Sequence, residues 1–518
     1  MATLIHMDPS ELARLLLSGQ SVFLTGAAGS GKTFLTNAAL DLVQESKKAN
    51  IVRCGTTGVS ALLHKNGMTV HSAFKLPVTD HPKTFAQWIQ RVKLRVQKGD
   101  AYIAPLQAKS LIVLIDEISM LSAYLLELLD MECRVIRKTP KVPFGGITLL
   151  IVGDFTQLPP VFNYNSVPKP PQRSELFAFE SPVWYALKLK TVLLAKNHRQ
   201  QDMFFSALIH QLKEGRPLSE AQRELLRTKN STVVPPDALC VMIRRDAVNA
   251  YNKKRLDELE VPVHSIKFPQ KLSYSASGRE MSIHLQKDVE QNLYLNYGDK
   301  EQMFKTGVRV MLVTNLASFG YVNGDRGMII GWAKRNVATL SAYHGEMSED
   351  GECPVVLFER TQAKTLVCYH TFERKMEYSD KNQAAALSCI PLCLAEASTV
   401  HKLQGSSISS PLHIVCDGMN RMAATFYVAI SRGTDLNNIT FQNFSHEGEL
   451  CKKALDFYRN EYRPKDQRII DYIDKTLTEE MAVSVDEEVA RTLGESLGKA
   501  SNKRKFVDAV ARWVDEQK

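Results

Sequence analysis

The sequence lacks the patterns that mark several common classes of protein. Its nine cysteines include no C-x-x-C pair and its 13 histidines no H-E-x-x-H pattern, so zinc ribbons and zinc proteases are not indicated. We expect the cysteines to be small core residues. No apolar run approaches the roughly 18 residues that a membrane-spanning helix needs. The first residues show no basic stretch before an apolar core, so we expect no secretory signal and a reducing compartment, the cytosol or the nucleus.

A strong excess of charge of one sign is also missing. The 65 basic and 56 acidic residues of this 518-residue chain leave a net charge of +9. That excess is compatible with a nucleic acid partner, but many proteins without such a partner share it. Composition therefore indicates a globular protein of about three domains and identifies no ligand.

A glycine-rich segment near the start of the chain carries the strongest signal. The residues that match the phosphate-binding pattern G-x-x-x-x-G-K-[ST] are Gly26, Ala27, Ala28, Gly29, Ser30, Gly31, Lys32 and Thr33. The apolar run Val22–Thr25 precedes the segment, and helical spacing follows it over residues 34–43. We expect Lys32 to reach the β- and γ-phosphates of a nucleotide and Thr33 to hold Mg²⁺. The alternative is a strand-to-helix turn without a ligand, which does not require the Lys-Thr pair.

Two further apolar strands end in residues that suit nucleotide hydrolysis. Leu111–Ile115 precedes Asp116, which we expect to hold Mg²⁺ through water, and Glu117, which we expect to take a proton from the attacking water. Thr148–Val152 precedes a segment with Gln157, whose amide could sense the γ-phosphate or that water. Read alone, the first pattern is a weak signal and the second is compatible with a capped turn.

The order of strands and helices predicts an α/β protein. Continuous apolar strands, including Ile51–Cys54, are typical of a parallel sheet covered on both faces. We expect a first domain at residues 1–200, a second at 201–455 and a charged helical tail at 456–518. A β-rich insert occupies about 261–368, after which the α/β pattern returns at Leu392–Ala395 and Leu412–Cys416. The basic cluster at 503–505 in the tail favours either a solvated helix or a nuclear-targeting or nucleic-acid-binding patch.

Together these segments resemble superfamily 1B DNA helicases, and most closely the petite-integration-frequency (PIF) family, which is related to RecD. The resemblance runs in order from residue 21 to residue 432. Besides the segments above, it includes residues 56–61, 67–74, 194–200, 310–327, 397–405 and 427–432. It implies two RecA-like motor domains, a small β-barrel inserted in the second, and ATP with Mg²⁺ as the bound nucleotide and metal.

The resemblance also implies roles for residues outside the phosphate-binding loop. Arg199 and Arg432 would neutralise charge on the γ-phosphate, although a lone arginine is more often part of a surface ion pair. Gln404 and Gly405 would couple the nucleotide to DNA. The residues expected to contact single-stranded DNA are Thr57, His71, Ser72, Phe74, His401 and Lys402. For His71 and Phe74, core packing is the alternative.

The activity that the resemblance implies is 5′→3′ movement on single-stranded DNA and unwinding of tailed or forked duplexes by a monomer, with no membrane partner. A loop at 163–175 or the β-rich insert would separate the strands. The alternatives are an ATP-gated nucleic-acid-binding or remodelling protein, an RNA helicase and a kinase. The family's adenine-reading glutamine has no counterpart in residues 7–12, which leaves other nucleoside triphosphates open as substrates.

Overall fold

The computed structural model divides the chain into two compact units. The first spans residues 1–198 and 450–518, and the second spans residues 199–449. The residues that the structure describes are 7–76, 85–160, 177–200, 202–267, 273–275, 301–314, 316, 320–321, 324–333, 341–342, 352–376 and 383–459. The division after residue 198 lies beside the boundary expected at 200. The other boundary differs, because residues 450–455 belong with the first unit rather than the second.

A six-stranded parallel sheet forms the centre of the first unit. Its strands are β1 (Val22–Gly26), β2 (Asn50–Gly55), β3 (Met68–Thr69), β4 (Leu111–Asp116), β5 (Thr148–Val152) and β6 (Lys190–Leu194). They lie in the order β3-β2-β4-β5-β1-β6, and every neighbouring pair is parallel. The four apolar strands predicted from the sequence are β1, β2, β4 and β5.

Helices cover both faces of this sheet. They are α1 (Pro9–Leu17), α2 (Lys32–Ser46), α3 (Gly58–Leu62), α4 (Val70–Ala73), α5 (Phe85–Lys98), α6 (Ile103–Leu106), α7 (Ala123–Arg137) and α8 (Pro182–Ala186). Alternate residues of β4 enter different cores: Val113 and Ile115 join one buried cluster, and Ile112 and Leu114 join the other. Two-sided burial explains why the strands are continuously apolar.

The second unit combines a parallel sheet with a larger set of mainly antiparallel strands. Its strands are β7 (Leu239–Met242), β8 (Val263–Lys267), β9 (Ser273–Ser275), β10 (Glu301–Lys305), β11 (Arg309–Leu312), β12 (Arg326–Ala333), β13 (Ser341–Ala342), β14 (Cys353–Phe358), β15 (Lys364–Leu366), β16 (His370–Met376), β17 (Gln383–Cys389), β18 (Leu392–Leu394), β19 (Ala397–Thr399), β20 (Leu412–Val415) and β21 (Ile439–Gln442). The parallel sheet has the order β19-β7-β20-β21. The helices are α9 (Met203–Lys213), α10 (Glu220–Arg227), α11 (Arg245–Glu258), α12 (Val400–Leu403) and α13 (Thr425–Ile430).

The β-rich insert extends further than the sequence predicted. Strand β18 pairs antiparallel with β11 in a sheet of order β13-β15-β14-β12-β11-β18. Residues 392–394 therefore belong to the insert, and their assignment to the returning α/β pattern was wrong. A short apolar strand carries no sequence signal for the sheet in which it pairs. The parallel sheet resumes only at β19.

The chain returns to the first unit in a last described helix, α14 (Lys452–Tyr458). Ala454 is fully buried in the same cluster as Val113, and the Phe457 ring packs 5.2 Å from that of Phe155. Residues 456–459 are thus part of a folded unit, not the start of a separate tail. The expected strand-separating loop at 163–175 and the tail from residue 460 lie outside the described residues. In the described part of the chain, no helix combines the length and apolarity needed to cross a membrane.

Candidate functional site

The phosphate-binding loop joins β1 to α2 at the carboxyl edge of the first sheet. Gly31, immediately before α2, has a φ of 82°, a conformation that L side chains rarely adopt. Because Gly31 has no side chain, it cannot cap the first N–H groups of α2. Lys32 Nζ donates to the carbonyl oxygens of Gly26 and Ala27, both at 2.9 Å. The ammonium group therefore lies over the loop, where phosphate oxygens would bind it.

The loop has the features that a phosphate group needs. Ser30 Oγ is buried and finds no hydrogen-bond partner among the described residues. A Cβ at Gly26 would lie 2.5 Å from the Leu194 carbonyl oxygen, so the loop can pass β6 only with glycine there. The start of α2 adds partial positive charge. An orphaned hydroxyl, a lysine and a helix N-terminus together fit the phosphates of ATP.

Two acidic residues end β4 at the same edge of the sheet. Only β5 separates β4 from β1, so the acids and the loop share the carboxyl edge. Asp116 is 4% exposed, and its Oδ1 accepts a hydrogen bond from the Glu117 N–H at 2.8 Å. Glu117 has φ 55° and ψ 48°, a left-handed conformation that costs a non-glycine residue free energy and is common at functional sites. Carboxylate and threonine oxygens are ligands that suit Mg²⁺.

The segment after β5 lies between these two groups. The Gly153 N–H donates to the Leu24 carbonyl oxygen at 3.1 Å, which holds the segment against β1. Gln157 is 3% exposed, and its Oε1 meets no donor among the described residues. Asp154 Oδ1 accepts from the backbone N–H and the hydroxyl of Thr156. The structure thus places the Gln157 amide in the segment between the loop and the acids, with one oxygen available to a ligand.

Sequence reasoning missed three residues that lie at this site or next to it. His64 Nε2 lies 2.8 Å from Asp116 Oδ2, and His64 Nδ1 lies 2.7 Å from Asn37 Oδ1. A histidine in a polar loop and an asparagine in a helix carry no motif that reveals such a contact. The backbone N–H of His198 also donates to the Gly29 carbonyl oxygen at 2.8 Å, inside the phosphate-binding loop. The feature of the sequence that could have indicated His198 is its position next to Arg199.

The second unit brings three of its predicted segments together. Arg432 is 1% exposed, and its guanidinium donates to the carbonyl oxygens of Val428 at 2.9 Å and Ser406 at 3.3 Å. Arg199 donates to the Ser431 carbonyl oxygen at 2.8 Å. Both guanidinium groups therefore contact backbone carbonyl oxygens within residues 428–431. Ser406 directly follows Gln404, which is buried, and Gly405, which has a φ of 84°.

The expected DNA contacts of the first unit fall into two groups. Thr57 caps α3 by accepting from the Ser60 N–H at 3.1 Å, Ser72 is exposed, and His71 is half-buried. Phe74 has no exposed surface and belongs to a hydrophobic cluster of the first unit. Phe74 is therefore a core residue, and its assignment as a stacking contact with DNA was wrong, because a buried ring has no face to offer a base.

In the second unit, two neighbouring residues of α12 differ in charge. Burial lowers the pKa of His401 below its usual value, which favours the neutral imidazole near pH 7. Lys402 is exposed, and its backbone N–H donates to the capping hydroxyl of Thr399 at 3.4 Å. We therefore expect Lys402 to meet a phosphate as a cation and His401 to act as a neutral hydrogen-bonding group.

Known helicases are similar to this chain in sequence. A family model described as PIF1-like helicase matches residues 13–223. The human ATP-dependent DNA helicase PIF1 is 31% identical over 459 residues, a match that covers 87% of this chain and 63% of the human protein. The chain thus spans less than two thirds of the length of this relative.

Two solved structures share the fold. The crystal structure of Pif1 helicase from Candida albicans matches with a TM-score of 0.70 at 22% identity, covering 89% of this chain and 99% of that one. Pif1 helicase from Bacteroides in complex with ADP-AlF3 and single-stranded DNA matches with a TM-score of 0.64 at 21% identity, covering 89% and 98%.

Proposed function

We propose that the chain is a member of the PIF1-like helicase family and an ATP-dependent DNA helicase that moves 5′→3′ on single-stranded DNA and unwinds duplexes. The observation that carries this proposal is the carboxyl edge of the first sheet. There the uncapped, glycine-rich start of α2 lies one strand away from Asp116 and Glu117. A tight turn without a ligand needs neither the acids nor the buried orphan hydroxyl of Ser30.

In this proposal, residues of the first unit have separate roles in ATP hydrolysis. Lys32 binds the β- and γ-phosphates, and residues 26–33 surround them with backbone N–H groups. Thr33 and Asp116 would hold Mg²⁺, which neutralises phosphate charge when it is bound. Glu117 accepts a proton from the attacking water, and Gln157 orients that water. The buried position of both acids excludes competing solvent.

The second unit supplies the cations and the coupling segment of this proposal. Arg199 and Arg432 would stabilise the charge that develops on the γ-phosphoryl group, a contribution of about 10³–10⁵ in rate for such arginines. Their shared contact with the residue 428–432 segment supports a joint role. Gln404 and Gly405, next to the Ser406 carbonyl that Arg432 contacts, would connect this cluster to α12.

DNA would be held by polar and cationic groups on both units. The proposed contacts are Thr57, His71 and Ser72 in the first unit and His401 and Lys402 in the second. The Bacteroides structure, solved with single-stranded DNA, supports the class of ligand. We further propose that the protein acts as a monomer in the nucleus or cytosol. Because residues 7–12 contain no adenine-reading glutamine, nucleoside triphosphates other than ATP should be tested as substrates.

The decisive experiment compares unwinding of duplexes that carry a 5′ tail, a 3′ tail or a fork, each with DNA and RNA strands, in the presence of ATP. We expect unwinding of the 5′-tailed and forked DNA only. The same assay with Lys32→Ala separates helicase activity from a contaminant. Efficient unwinding of the 3′-tailed duplex would overturn the direction of movement, and ATP hydrolysis without any unwinding would favour a remodelling protein.

A further inference from the structure

His64 lies between the nucleotide site and the proposed DNA-binding segment of the first unit, and the mechanism above does not use it. Its side chain is buried, at 3% exposure, in the loop that joins α3 to β3. Both ring nitrogens face oxygen atoms: Asp116 Oδ2 at 2.8 Å and Asn37 Oδ1 at 2.7 Å. A buried imidazole with two short contacts has a fixed ring orientation.

Asn37 sets that orientation from the nucleotide side. Its Nδ2 donates to the Leu63 carbonyl oxygen at 2.7 Å, so its Oδ1 must be the atom that faces His64. Asn37 lies on α2, one helical turn after Thr33 and on the same face of the helix. The imidazole is thus held by the helix that presents the proposed Mg²⁺ ligand Thr33.

The Asp116 carboxylate depends on His64 for one of its two oxygens. Oδ1 accepts from the Glu117 N–H at 2.8 Å, and Oδ2 faces the imidazole. With the backbone hydrogen bond alone, the carboxylate could rotate about that hydrogen bond. The second contact, with the imidazole, fixes the plane of the carboxylate. Partners that orient a metal ligand in this way are part of how a site selects its geometry.

The same loop is tied to the acids by its backbone. The Thr56 N–H donates to the Asp116 carbonyl oxygen at 3.0 Å, and the Thr56 hydroxyl donates to the Glu117 carbonyl oxygen at 2.8 Å. Thr57, the next residue, and Ser72 are proposed DNA contacts. A shift of residues 56–72 on DNA would therefore move the group that orients Asp116.

We infer that His64 is a positioning residue that fixes the Asp116 carboxylate for Mg²⁺–nucleotide binding and links that carboxylate to the DNA-facing segment 56–72. The inference rests on the proposed function for the identity of the ligands. It adds a route by which single-stranded DNA stimulates nucleotide hydrolysis. The route runs through side-chain contacts inside one unit.

Two substitutions at the same position separate positioning from simple structural support. In His64→Gln the amide nitrogen occupies about the place of Nε2 and can still donate to Asp116. In His64→Asn the amide reaches only the place of Nδ1, so the contact with Asn37 remains and the contact with Asp116 is lost. Both variants bury a neutral amide of similar polarity, so they are matched controls for each other.

The first readout is the binding of a fluorescent ADP analogue with Mg²⁺ and with EDTA. We expect His64→Asn to bind as the wild type does in EDTA and to lose about 10-fold or more of the affinity gained from Mg²⁺, the effect usual for partners of a metal ligand. His64→Gln should keep most of that gain. The second readout is the factor by which single-stranded DNA stimulates ATP hydrolysis, which should fall in His64→Asn and be retained in His64→Gln.

Equal Mg²⁺-dependent binding by the two variants would overturn the inference. So would a parallel loss of EDTA binding and of the urea midpoint of unfolding in both, because that result indicates structural support only. Failure of the proposed function is seen separately, as a wild-type protein that unwinds no tailed duplex. The nucleotide-binding comparison remains interpretable in that case, since it needs neither DNA nor hydrolysis.

Discussion

At the scale of single residues, substitutions of Lys32 and of Glu117 are expected to impair ATP hydrolysis in different ways. Lys32→Ala removes the cation from the phosphates, so it should lower nucleotide affinity and nearly abolish DNA-stimulated ATP hydrolysis. Glu117→Gln keeps the side-chain volume and removes the base, so it should bind nucleotide and hydrolyse it at least about 100-fold more slowly. Steady-state hydrolysis and binding of a fluorescent ATP analogue, measured on both variants, check the assignment. Near-normal turnover in both would exclude it.

Glu132 provides a second residue-scale prediction, which concerns pH. It lies on α7 without exposed surface, and burial raises the pKa of its carboxyl group to about 8, an effect that Tyr102 and Arg95 offset only in part. The folded state therefore keeps a proton that the unfolded chain has released. The stability from this group is complete below the unfolded pKa, near 4.5, and is lost as the pH rises through about 8.

The test is the melting temperature of wild type and of Glu132→Gln across that pH range. Glutamine is neutral at every pH, so the wild type should lose stability relative to the variant as the pH rises from about 5 to about 8. Circular dichroism gives both curves under the same buffers. Two parallel curves would mean that Glu132 does not titrate in this interval.

The position of a site residue in the fold could be predicted from sequence where a motif follows a strand that periodicity identifies. Residues 26–33 and Asp116 follow strands that periodicity identifies, and both lie at the expected edge of the sheet. Phe74 shows the limit, because a ring beside polar residues reads the same whether it faces a base or a core. The contact of His64 with Asp116 joins residues 52 positions apart and depends on tertiary packing alone.

At the scale of elements, the least predictable parts were those whose partners are far along the chain. Strand β18 is a three-residue apolar segment, and only its antiparallel pairing with β11 assigns it to the insert. Helix α14 crosses the boundary expected between the second domain and the charged tail, yet Phe457 stacks 4.5 Å from the Phe179 ring. Periodicity reports which face of an element is apolar, not which core receives it.

Helix α14 also makes a testable contact with the nucleotide site of its own unit. The Tyr458 hydroxyl lies 2.7 Å from Thr25 Oγ1, accepts from the Phe155 N–H at 3.1 Å and donates to Asp154 Oδ1 at 3.3 Å. Thr25 directly precedes the phosphate-binding loop, and Asp154 begins the segment that leads to Gln157. One hydroxyl from the end of the described chain thus joins two strand ends of the site.

We expect Tyr458→Phe to keep the aromatic packing and remove this junction. The groups left without their partner should cost about 1–3 kcal/mol of stability, which lowers the melting temperature. The ATP hydrolysis rate should fall while affinity for single-stranded DNA stays near that of the wild type, because the hydroxyl contacts described above lie at the nucleotide site. Unchanged hydrolysis with an unchanged melting temperature would show that the hydroxyl contributes nothing measurable.

At the scale of the whole molecule, the sequence predicted the α/β fold class better than the limits of the two units. The division at 198 lies where motif order places it, since each α/β sheet carries its own set of motifs. The return of residues 450–459 to the first unit was not predictable, because it depends on contacts between segments slightly more than 300 residues apart, such as Phe457 with Phe155. Truncation near residue 449 would remove part of the first unit's core.

DNA affinity is a property of the whole molecule, and its salt dependence counts the phosphate contacts. Each cation that contacts a single-stranded phosphate contributes about 0.7 to the slope of log affinity against log salt concentration. Lys402→Gln should therefore reduce that slope by about 0.7. His401→Gln should weaken binding at pH 7.5 with no change in slope, because burial lowers the pKa of His401 and favours its neutral form. Lys253→Gln, an exposed lysine on α11, is the control. Fluorescence anisotropy with a labelled oligonucleotide measures all three, and a wild-type slope for Lys402→Gln would remove this lysine from the DNA path.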